Sequence, residues 1–297
     1  MALVSRRDAG KFLLAGYAGA LVAGEELRSA EMINSVVRGV EIGAQSYSFR
    51  DRPLDACIEA FRTVGLGECE LSEAHVQPPS HKYEELKKWR LETPLSSFKE
   101  IREKFDNAGI LLYAYTCGLQ ARFTDEEIER CFQMAQALGV KYITSSANIS
   151  AAPRIDKYAQ KYKIMVGFHG HDQTDHPDEF STAETFERGL KGASRYLGVN
   201  LDIGHFVAAG GDPVAFLKEH HKKIVTLHIK DRKKNHGANV PLGQGDTPVA
   251  EVLRLMRDNH WKFPANIEYE YGKEIPGLDT ITEVKKCFEY CKQALES

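Results

Sequence analysis

The stretch Ile224-Val-Thr-Leu-His-Ile-Lys-Asp231 shows the pattern that decides the fold: a short apolar, β-branched run that ends abruptly in ionisable residues. Similar runs recur along the chain and alternate with longer segments of helical periodicity, which is typical of repeated β-α units and a parallel sheet. The predicted strands are Val40–Ser46, Gly67–Leu71, Leu111–Thr116, Tyr142–Ser145, Ile164–His169, Val199–Ile203, Ile224–Ile229 and Ala265–Tyr269. Eight strands, each followed by a helix, predict a closed (β/α)8 TIM barrel of the α/β class.

The segments between these strands have the periodicity and the capping residues of helices, such as Thr124 before three acidic residues and Asp212 before a proline. The predicted helices are Leu54–Val64, Ser97–Ala108, Asp125–Leu138, Ile155–Lys161, Thr182–Ser194, Pro213–His220, Pro248–Asp258 and Asp279–Leu295. A doubly wound open sheet would alternate in the same way. However, Gln45-Ser46-Tyr47 follows the first strand, where that fold has a Gly-rich phosphate-binding loop. The barrel is therefore favoured, as one domain over residues 31–297.

Composition limits the classes of partner. The chain has 42% hydrophobic and 27% charged residues and a formal net charge of −3, as in an ordinary soluble globular protein. It has no overall positive field with which to collect phosphates, so nucleic acid is not an expected partner. Six cysteines occur without the CxxC spacing of a structural zinc site, and we expect them to be buried free thiols.

Residues 1–30 have the features of an export signal. Ser5-Arg6-Arg7 is followed by the apolar run 12–23 and then by Glu25-Glu26. A dozen apolar residues are too few to span a bilayer, for which about 20 are needed. The arginine pair favours the twin-arginine route and a periplasmic location, although Asp8-Ala-Gly10 departs from the usual motif. The alternatives are an uncleaved membrane anchor and a chance basic-apolar tail.

Ionisable residues cluster at the carboxyl ends of five predicted strands, where a barrel opens into its active-site mouth. These clusters are Glu70-Leu-Ser-Glu-Ala-His75, His169-Gly-His-Asp172, Asp202-Ile-Gly-His205, His228-Ile-Lys-Asp231 and Glu268-Tyr-Glu270. Burying such groups without partners is costly, and a shared cation would remove that cost. Imidazole and carboxylate together suit Mn²⁺, Zn²⁺, Co²⁺ or Fe²⁺ better than Ca²⁺ or Mg²⁺. For any single histidine here, a structural role is an equal alternative.

The order and spacing of these motifs resemble the sugar phosphate isomerase/epimerase superfamily of xylose isomerase-like barrels over residues 40–290. That superfamily includes ketose 3-epimerases and inosose dehydratase. The resemblance rests on Gln45-Ser-Tyr-Ser-Phe49, Glu70-Leu71, Asp202-Ile-Gly-His205, His228-Ile-Lys-Asp231 and Ile267-Glu-Tyr-Glu270. It implies one divalent metal ion, held by one residue from each of strands five to eight.

Position by position, the resemblance implies that Asp202 and His228 are metal ligands and that His205 binds substrate. It implies Glu268 as the strand-eight ligand, because Glu268 lies seven residues after Trp261, which resembles the aromatic residue that precedes this strand in the family. Glu270 is the alternative for that position. We expect Glu270 and Glu70 to bind substrate.

Strand five departs from the well-studied epimerases, which have a metal-binding glutamate there. Val166-Gly-Phe-His-Gly-His171 resembles a subgroup in which His-x-His takes that position. His169 then replaces the glutamate as ligand, and His171 faces the substrate. Because the epimerases use paired glutamates as acid and base on the two faces of the sugar, one member of that pair is missing here.

The resemblance implies proton abstraction from a carbon beside a carbonyl, with the resulting enediolate stabilised by the metal. Glu268 is the predicted base, and Lys230 and His171 are predicted to return the proton or stabilise an oxyanion. For Lys230, an equally weighted alternative is a structural pairing with Asp231. Reprotonation on the other face gives epimerisation, reprotonation at the neighbouring carbon gives isomerisation, and loss of a β-substituent gives elimination.

Export would bring the enzyme into contact with free or oxidised sugars rather than sugar phosphates. The predicted substrate is therefore a sugar or keto-sugar, and a 3-keto-glycoside lyase or a dehydratase is the alternative on the same scaffold. A periplasmic sugar-binding barrel without catalysis is the alternative from another class. Endonuclease IV belongs to the same superfamily, but neither the charge balance nor an export signal suits DNA repair. The oligomeric state is left open.

Overall fold

The computed structural model describes residues 31–297, so the predicted export signal lies outside the described residues. Eight parallel strands form the barrel: β1 (Val40–Gln45), β2 (Glu68–Ser72), β3 (Leu111–Thr116), β4 (Tyr142–Ser145), β5 (Met165–His169), β6 (Leu197–Asp202), β7 (Ile224–Ile229) and β8 (Ala265–Ile267). Each strand pairs with the next, and β1 pairs with both β2 and β8, which closes the sheet. The predicted (β/α)8 TIM barrel is confirmed.

Helices surround this barrel. They are α1 (Leu54–Val64), α2 (Tyr83–Glu92), α3 (Leu95–Ala108), α4 (Asp125–Ala137), α5 (Ala152–Tyr162), α6 (Ala183–Leu190), α7 (Ile203–Ala208), α8 (Pro213–His220), α9 (Val249–Asp258) and α10 (Thr280–Glu296). The predicted bounds of α1 and α8 are exact. The sequence prediction missed α2 and α7, and it extended α6 to Ser194. In the structure α6 stops before Lys191, whose backbone is extended. No helix in residues 31–297 is long and apolar enough to cross a membrane.

The unpredicted helix α2 is held by a buried ion pair in addition to its partly buried aromatic residues, Tyr83 and Trp89. Arg90 is the buried residue of this helix, and its Nη1 lies 2.7 Å from Glu127 Oε1 on α4. The guanidinium also lies 4.0 Å from the ring centroid of Phe123. Glu127 in turn accepts from the Thr124 backbone N–H and completes the capping box that begins α4. The pair therefore joins α2 to the barrel unit that follows it.

The barrel interior contains a buried carboxyl group, Glu68 on β2. Neither of its oxygens has a hydrogen-bond partner among the described residues, and the same is true of Asn266 Oδ1 on β8. Both groups face the space above Gly43, where a Cβ atom would overlap Glu68 Oε2. Glycine at position 43 thus makes room for this carboxyl. A protonated Glu68 can donate to Asn266 Oδ1, which would satisfy both groups.

Because Glu68 is buried without a partner for its charge, Glu68→Gln is expected to stabilise the protein at alkaline pH. Burial raises the pKa of Glu68 well above its usual value, and the nearby Glu70 carboxylate raises it further. Because the pKa of Glu68 is higher in the folded state than in the unfolded state, protonated Glu68 contributes fully to the stability of the wild-type fold at acid pH. This contribution is lost as pH rises through the folded-state pKa. We expect the variant to melt about 2–4 °C above wild type at pH 8. This difference in melting temperature should be smaller at pH 5. An equal difference at pH 5 and pH 8 would contradict a protonated, neutral Glu68.

The expectation that all six cysteines are free thiols is wrong for one pair. Cys117, just after β3, and Cys131 on α4 form a disulfide, with Cα atoms 6.5 Å apart. This spacing lies within the range that a disulfide bridges. The other cysteines, at 57, 69, 287 and 291, are buried free thiols as expected.

Candidate metal centre and active site

Side chains from the last strands of the barrel meet at its carboxyl end. His169 ends β5, Asp202 ends β6, His228 lies near the end of β7, and Glu268 directly follows β8. All are buried, and each offers a ligand atom within 4.8 Å of the others. The structure therefore brings together the residues that the sequence predicted as metal ligands. Glu270, the alternative for the strand-eight position, lies outside this group.

The ligand atoms of this group have the chemistry of a divalent-cation site. Four buried atoms make no conventional hydrogen bond among residues 31–297: His169 Nδ1, His228 Nδ1, Asp202 Oδ2 and Glu268 Oε2. The two carboxylate oxygens are ion-paired with Lys230 Nζ, and His228 Nδ1 lies 3.3 Å from Glu268 Oε2. Within the described residues His169 Nδ1 has no partner of either kind, which is costly for a buried nitrogen, and a divalent cation would bind all four atoms together. Two imidazole nitrogens and two carboxylate oxygens suit Zn²⁺, Mn²⁺, Co²⁺ or Fe²⁺. The residues present therefore fit one bound metal ion.

Asp202 is held in place by the helix that it begins. Its Oδ1 accepts from the backbone N–H of His205 at 2.7 Å, which caps α7. This leaves Oδ2 directed into the centre, 2.9 Å from Lys230 Nζ. The predicted strand extended one residue too far, to Ile203, because the chain turns into a helix directly after the ligand.

His228 is oriented by Glu70, which lies beneath it in the barrel. Nε2 of His228 is 3.1 and 3.0 Å from the two oxygens of Glu70, and Nδ1 is 3.3 Å from Glu268 Oε2. Glu70 also accepts from Thr144 Oγ1 at 2.6 Å and from Thr116 Oγ1 at 3.0 Å. Burial alone would lower the pKa of His228, but Glu70 and Glu268 outweigh it and raise that pKa well above its usual value. With Nε2 hydrogen-bonded to Glu70, Nδ1 is the nitrogen that would ligate a cation after losing its proton.

Glu70→Gln is expected to weaken metal binding by about 10–100-fold, the usual cost of losing a carboxylate that orients a ligating histidine. A chelator-competition titration would measure this. Glu70 was predicted from the sequence to bind substrate; it lines the cavity of the site as well as contacting His228, and the substrate-binding role stays a prediction. Unchanged metal affinity with a raised KM would instead support substrate binding.

Lys230 lies among three carboxylates. Its Nζ is 2.9 Å from Asp202 Oδ2, 2.6 Å from Glu268 Oε2 and 2.8 Å from Glu270 Oε2. Burial opposes its charge, but these carboxylates outweigh burial and raise the pKa of Lys230 above its usual value, so it remains an ammonium ion. The alternative pairing with Asp231 is wrong. Asp231 instead accepts from the backbone N–H groups of the loop 243–247.

The two other histidines lie at the mouth of the centre. His171 and His205 line one cavity of about 430 Å³ together with His169, Lys230, Glu268 and Glu270. Burial, with help from His205 and Lys230, lowers the pKa of His171 to about 4. His171 is therefore neutral near pH 7. The cavity is large enough for a sugar, and both histidines face it as predicted.

A charge network at the rim was missed by the sequence prediction. Asp172 Oδ1 lies 3.0 Å from His205 Nδ1 and 2.8 Å from Arg232 Nη1, and its other oxygen lies 3.3 Å from His236 Nδ1. The hydrogen bond from His205 and the Arg232 guanidinium hold the pKa of Asp172 well below its usual value. The network fixes the position of His205. Asp172 directly follows the His-x-His motif, but nothing local in the sequence pointed to Arg232.

Residues 58–291 match the family of xylose isomerase-like TIM barrels. The chain belongs to this family. The matched segment contains all four candidate ligands and the barrel from β2 to β8.

Two solved structures share the fold. The chain is similar to 3-keto-D-glucoside 4-epimerase YcjR from E. coli, with 12% identity, a TM-score of 0.63, and coverage of 86% of this chain and 99% of that one. It is also similar to the IolI protein with a bound zinc atom, with 16% identity, a TM-score of 0.62, and coverage of 86% and 98%. At these identities the likeness shows the fold alone.

One curated relative matches over a short segment. The rhizopine catabolism protein MocC of Rhizobium meliloti is 34% identical over 71 residues, which is 24% of this chain. The matched segment spans 21% of the length of that relative.

Proposed function

We propose that this protein is a metal-dependent sugar isomerase or epimerase that removes a proton from the carbon beside a carbonyl group of a sugar or keto-sugar. The observation that carries the proposal is the convergence of four buried metal-ligating side chains from four successive strands, three of which line a cavity of about 430 Å³. His169, Asp202, His228 and Glu268 would hold the ion. A divalent cation here supplies positive charge that stabilises the oxyanion formed when the proton leaves.

Glu268 is the proposed base. Burial opposes its ionisation, but Lys230 and His228 outweigh burial and hold the pKa of Glu268 well below its usual value. The carboxylate is thus ionised at neutral pH and able to accept a proton. A general base positioned in this way contributes typically 10²–10⁴-fold to a rate.

Lys230 and His171 have different proposed roles. Because Lys230 keeps its proton, its ammonium would stabilise negative charge on the substrate rather than exchange protons. His171 is neutral and lines the same cavity as Glu268, two residues after the end of β5. We propose it as the second group that takes or returns a proton. Its lowered pKa favours the role of a base over that of an acid.

Elimination is the second candidate, and His169 favours it. A histidine occupies the β5 position where the family epimerases have a second carboxylate, so Glu268 is left without a matching carboxylate across the site. One base suffices for loss of a β-substituent, whereas inversion requires a proton donor on the other face. The described structure thus supports a keto-glycoside lyase or a dehydratase as the alternative reaction.

Product analysis separates these reactions. The metal-loaded protein would be incubated in D₂O with a 3-keto-glycoside, and the products followed by ¹H NMR. An isomerase or epimerase should give an isomeric sugar with deuterium at the reacting carbon, whereas a lyase should release the aglycone. Binding without exchange or release would support a sugar-binding barrel instead. Export through residues 1–30 stays a prediction.

A further inference from the structure

We infer that the amino end of the barrel, opposite the candidate active site, carries a second site for a phosphate-bearing ligand. Lys141, Lys163 and Arg195 line one groove of about 320 Å³ together with Tyr142, Met165 and Tyr196. Each of these cations lies in the connection that precedes a barrel strand, before β4, β5 and β6 respectively. The strands are parallel, so this groove and the metal centre lie at opposite ends of the barrel.

The charges in this groove are not balanced by the protein. Within residues 31–297, no carboxylate lies within 4.0 Å of the charged nitrogens of Lys141, Lys163 or Arg195. Nearby Lys161 differs, because it pairs with Glu129. All three cationic side chains are exposed to solvent and line the same groove, although the whole chain has a net charge of −3. An anion bound in this groove would be within reach of all three.

The backbone at Lys163 provides an independent observation. Lys163 ends α5 in the left-handed conformation, with φ 55°. Helices α1 and α3 end in the same conformation, but there the residue is glycine, Gly65 or Gly109. A side chain at such a position costs free energy that glycine avoids. Lysine at this position places a long cationic side chain at the edge of the groove, where glycine would place none.

Arg195 and the tyrosines give the groove a fixed shape. Arg195 Nη2 donates to Tyr196 Oη at 3.1 Å, and its guanidinium carbon lies 5.0 Å from the centroid of the Tyr196 ring. Tyr142 stacks on Tyr113 with centroids 4.5 Å apart, and Tyr113 Oη donates to the Val225 carbonyl at 2.9 Å. A guanidinium held in this way can present its other N–H groups in the paired geometry that phosphate accepts.

A free phosphate compound and a phospholipid headgroup share this chemistry, and two measurements distinguish them. The first is the melting temperature of the metal-loaded protein in inorganic phosphate against sodium chloride of equal ionic strength. The second is co-sedimentation with phosphatidylcholine vesicles, with and without phosphatidylglycerol. The variants are Lys163→Gly and Arg195→Ala, and Lys88→Ala on α2 is the control that removes one exposed positive charge elsewhere.

Wild type and Lys88→Ala should bind phosphate or the anionic vesicles. Lys163→Gly and Arg195→Ala should each weaken that binding by at least about 10-fold, because each removes a hydrogen bond between charged groups. Lys163→Gly should also melt higher than wild type without phosphate, because the backbone strain is relieved. Phosphate held at the metal centre would act equally on all four proteins. Equal responses in all four proteins, or no response to either probe in wild type, would overturn the inference.

Discussion

Glu268→Gln is expected to abolish nearly all solvent-deuterium exchange into a keto-sugar, with a loss of at least about 10²–10⁴-fold. The amide has nearly the same shape as the carboxylate, but it cannot accept the proton from carbon. It also removes the negative charge that lies 2.6 Å from Lys230 Nζ and 3.3 Å from His228 Nδ1. The measurement is the exchange rate by ¹H NMR, with bound metal quantified in the same samples.

Metal quantification separates the two contributions of Glu268. If the variant retains metal and loses exchange, the loss belongs to the base. Glu126→Gln, an exposed residue in the first turn of α4, is the control for the same chemical change. Exchange at the wild-type rate in a metal-loaded Glu268→Gln protein would assign the base to another residue, with His171 the next candidate.

Asp202→Asn is expected to release the metal, reducing the affinity by more than the 10–100-fold that loss of an orienting partner typically costs. Asparagine can still cap α7 through its side-chain oxygen. Its amide nitrogen, however, would replace Oδ2 and direct a hydrogen-bond donor at the cation. Asp212→Asn is the matched control, because Asp212 caps α8 by the same kind of bond and is remote from the centre.

The expected readout is the metal content together with the melting temperature after metal addition. Wild type and Asp212→Asn should each bind close to one equivalent and melt higher when loaded, since a ligand that binds only the folded state stabilises it. Asp202→Asn should show neither effect. Full metal content in this variant would remove Asp202 from the set of ligands.

Most of the barrel and of the metal centre could be predicted because both depend on local patterns. Strands are short apolar runs, and in a parallel barrel every strand end points to the same mouth. The side chains of His169, Asp202 and His228 thus had to converge once the strands were located. The choice between Glu268 and Glu270 required the spacing from Trp261, since alternate residues on a strand share one face.

Features that depend on contacts between separate β-α units could not be predicted. Helix α2 forms around the buried contact between Arg90 and Glu127, which are 37 positions apart in the chain. Cys117 and Cys131 carry no motif, and their pairing depends on how α4 packs beside β3. The position of Glu70 beneath His228 likewise follows from barrel closure, which brings residues 158 positions apart into contact.

Metal-dependent deuterium exchange by the wild-type protein tests most directly whether it is a metal-dependent enzyme that abstracts a proton beside a carbonyl. The protein would be purified with its metal retained, divided into untreated, chelator-stripped and re-metallated samples, and incubated in D₂O with 3-keto-glycosides, ketoses and aldoses. We expect close to one equivalent of bound metal. We also expect deuterium beside the carbonyl of at least one keto-sugar, with the exchange lost on stripping and restored by Mn²⁺, Zn²⁺, Co²⁺ or Fe²⁺. Exchange that continues at the same rate after stripping, or a protein that binds none of these ions, would contradict that function.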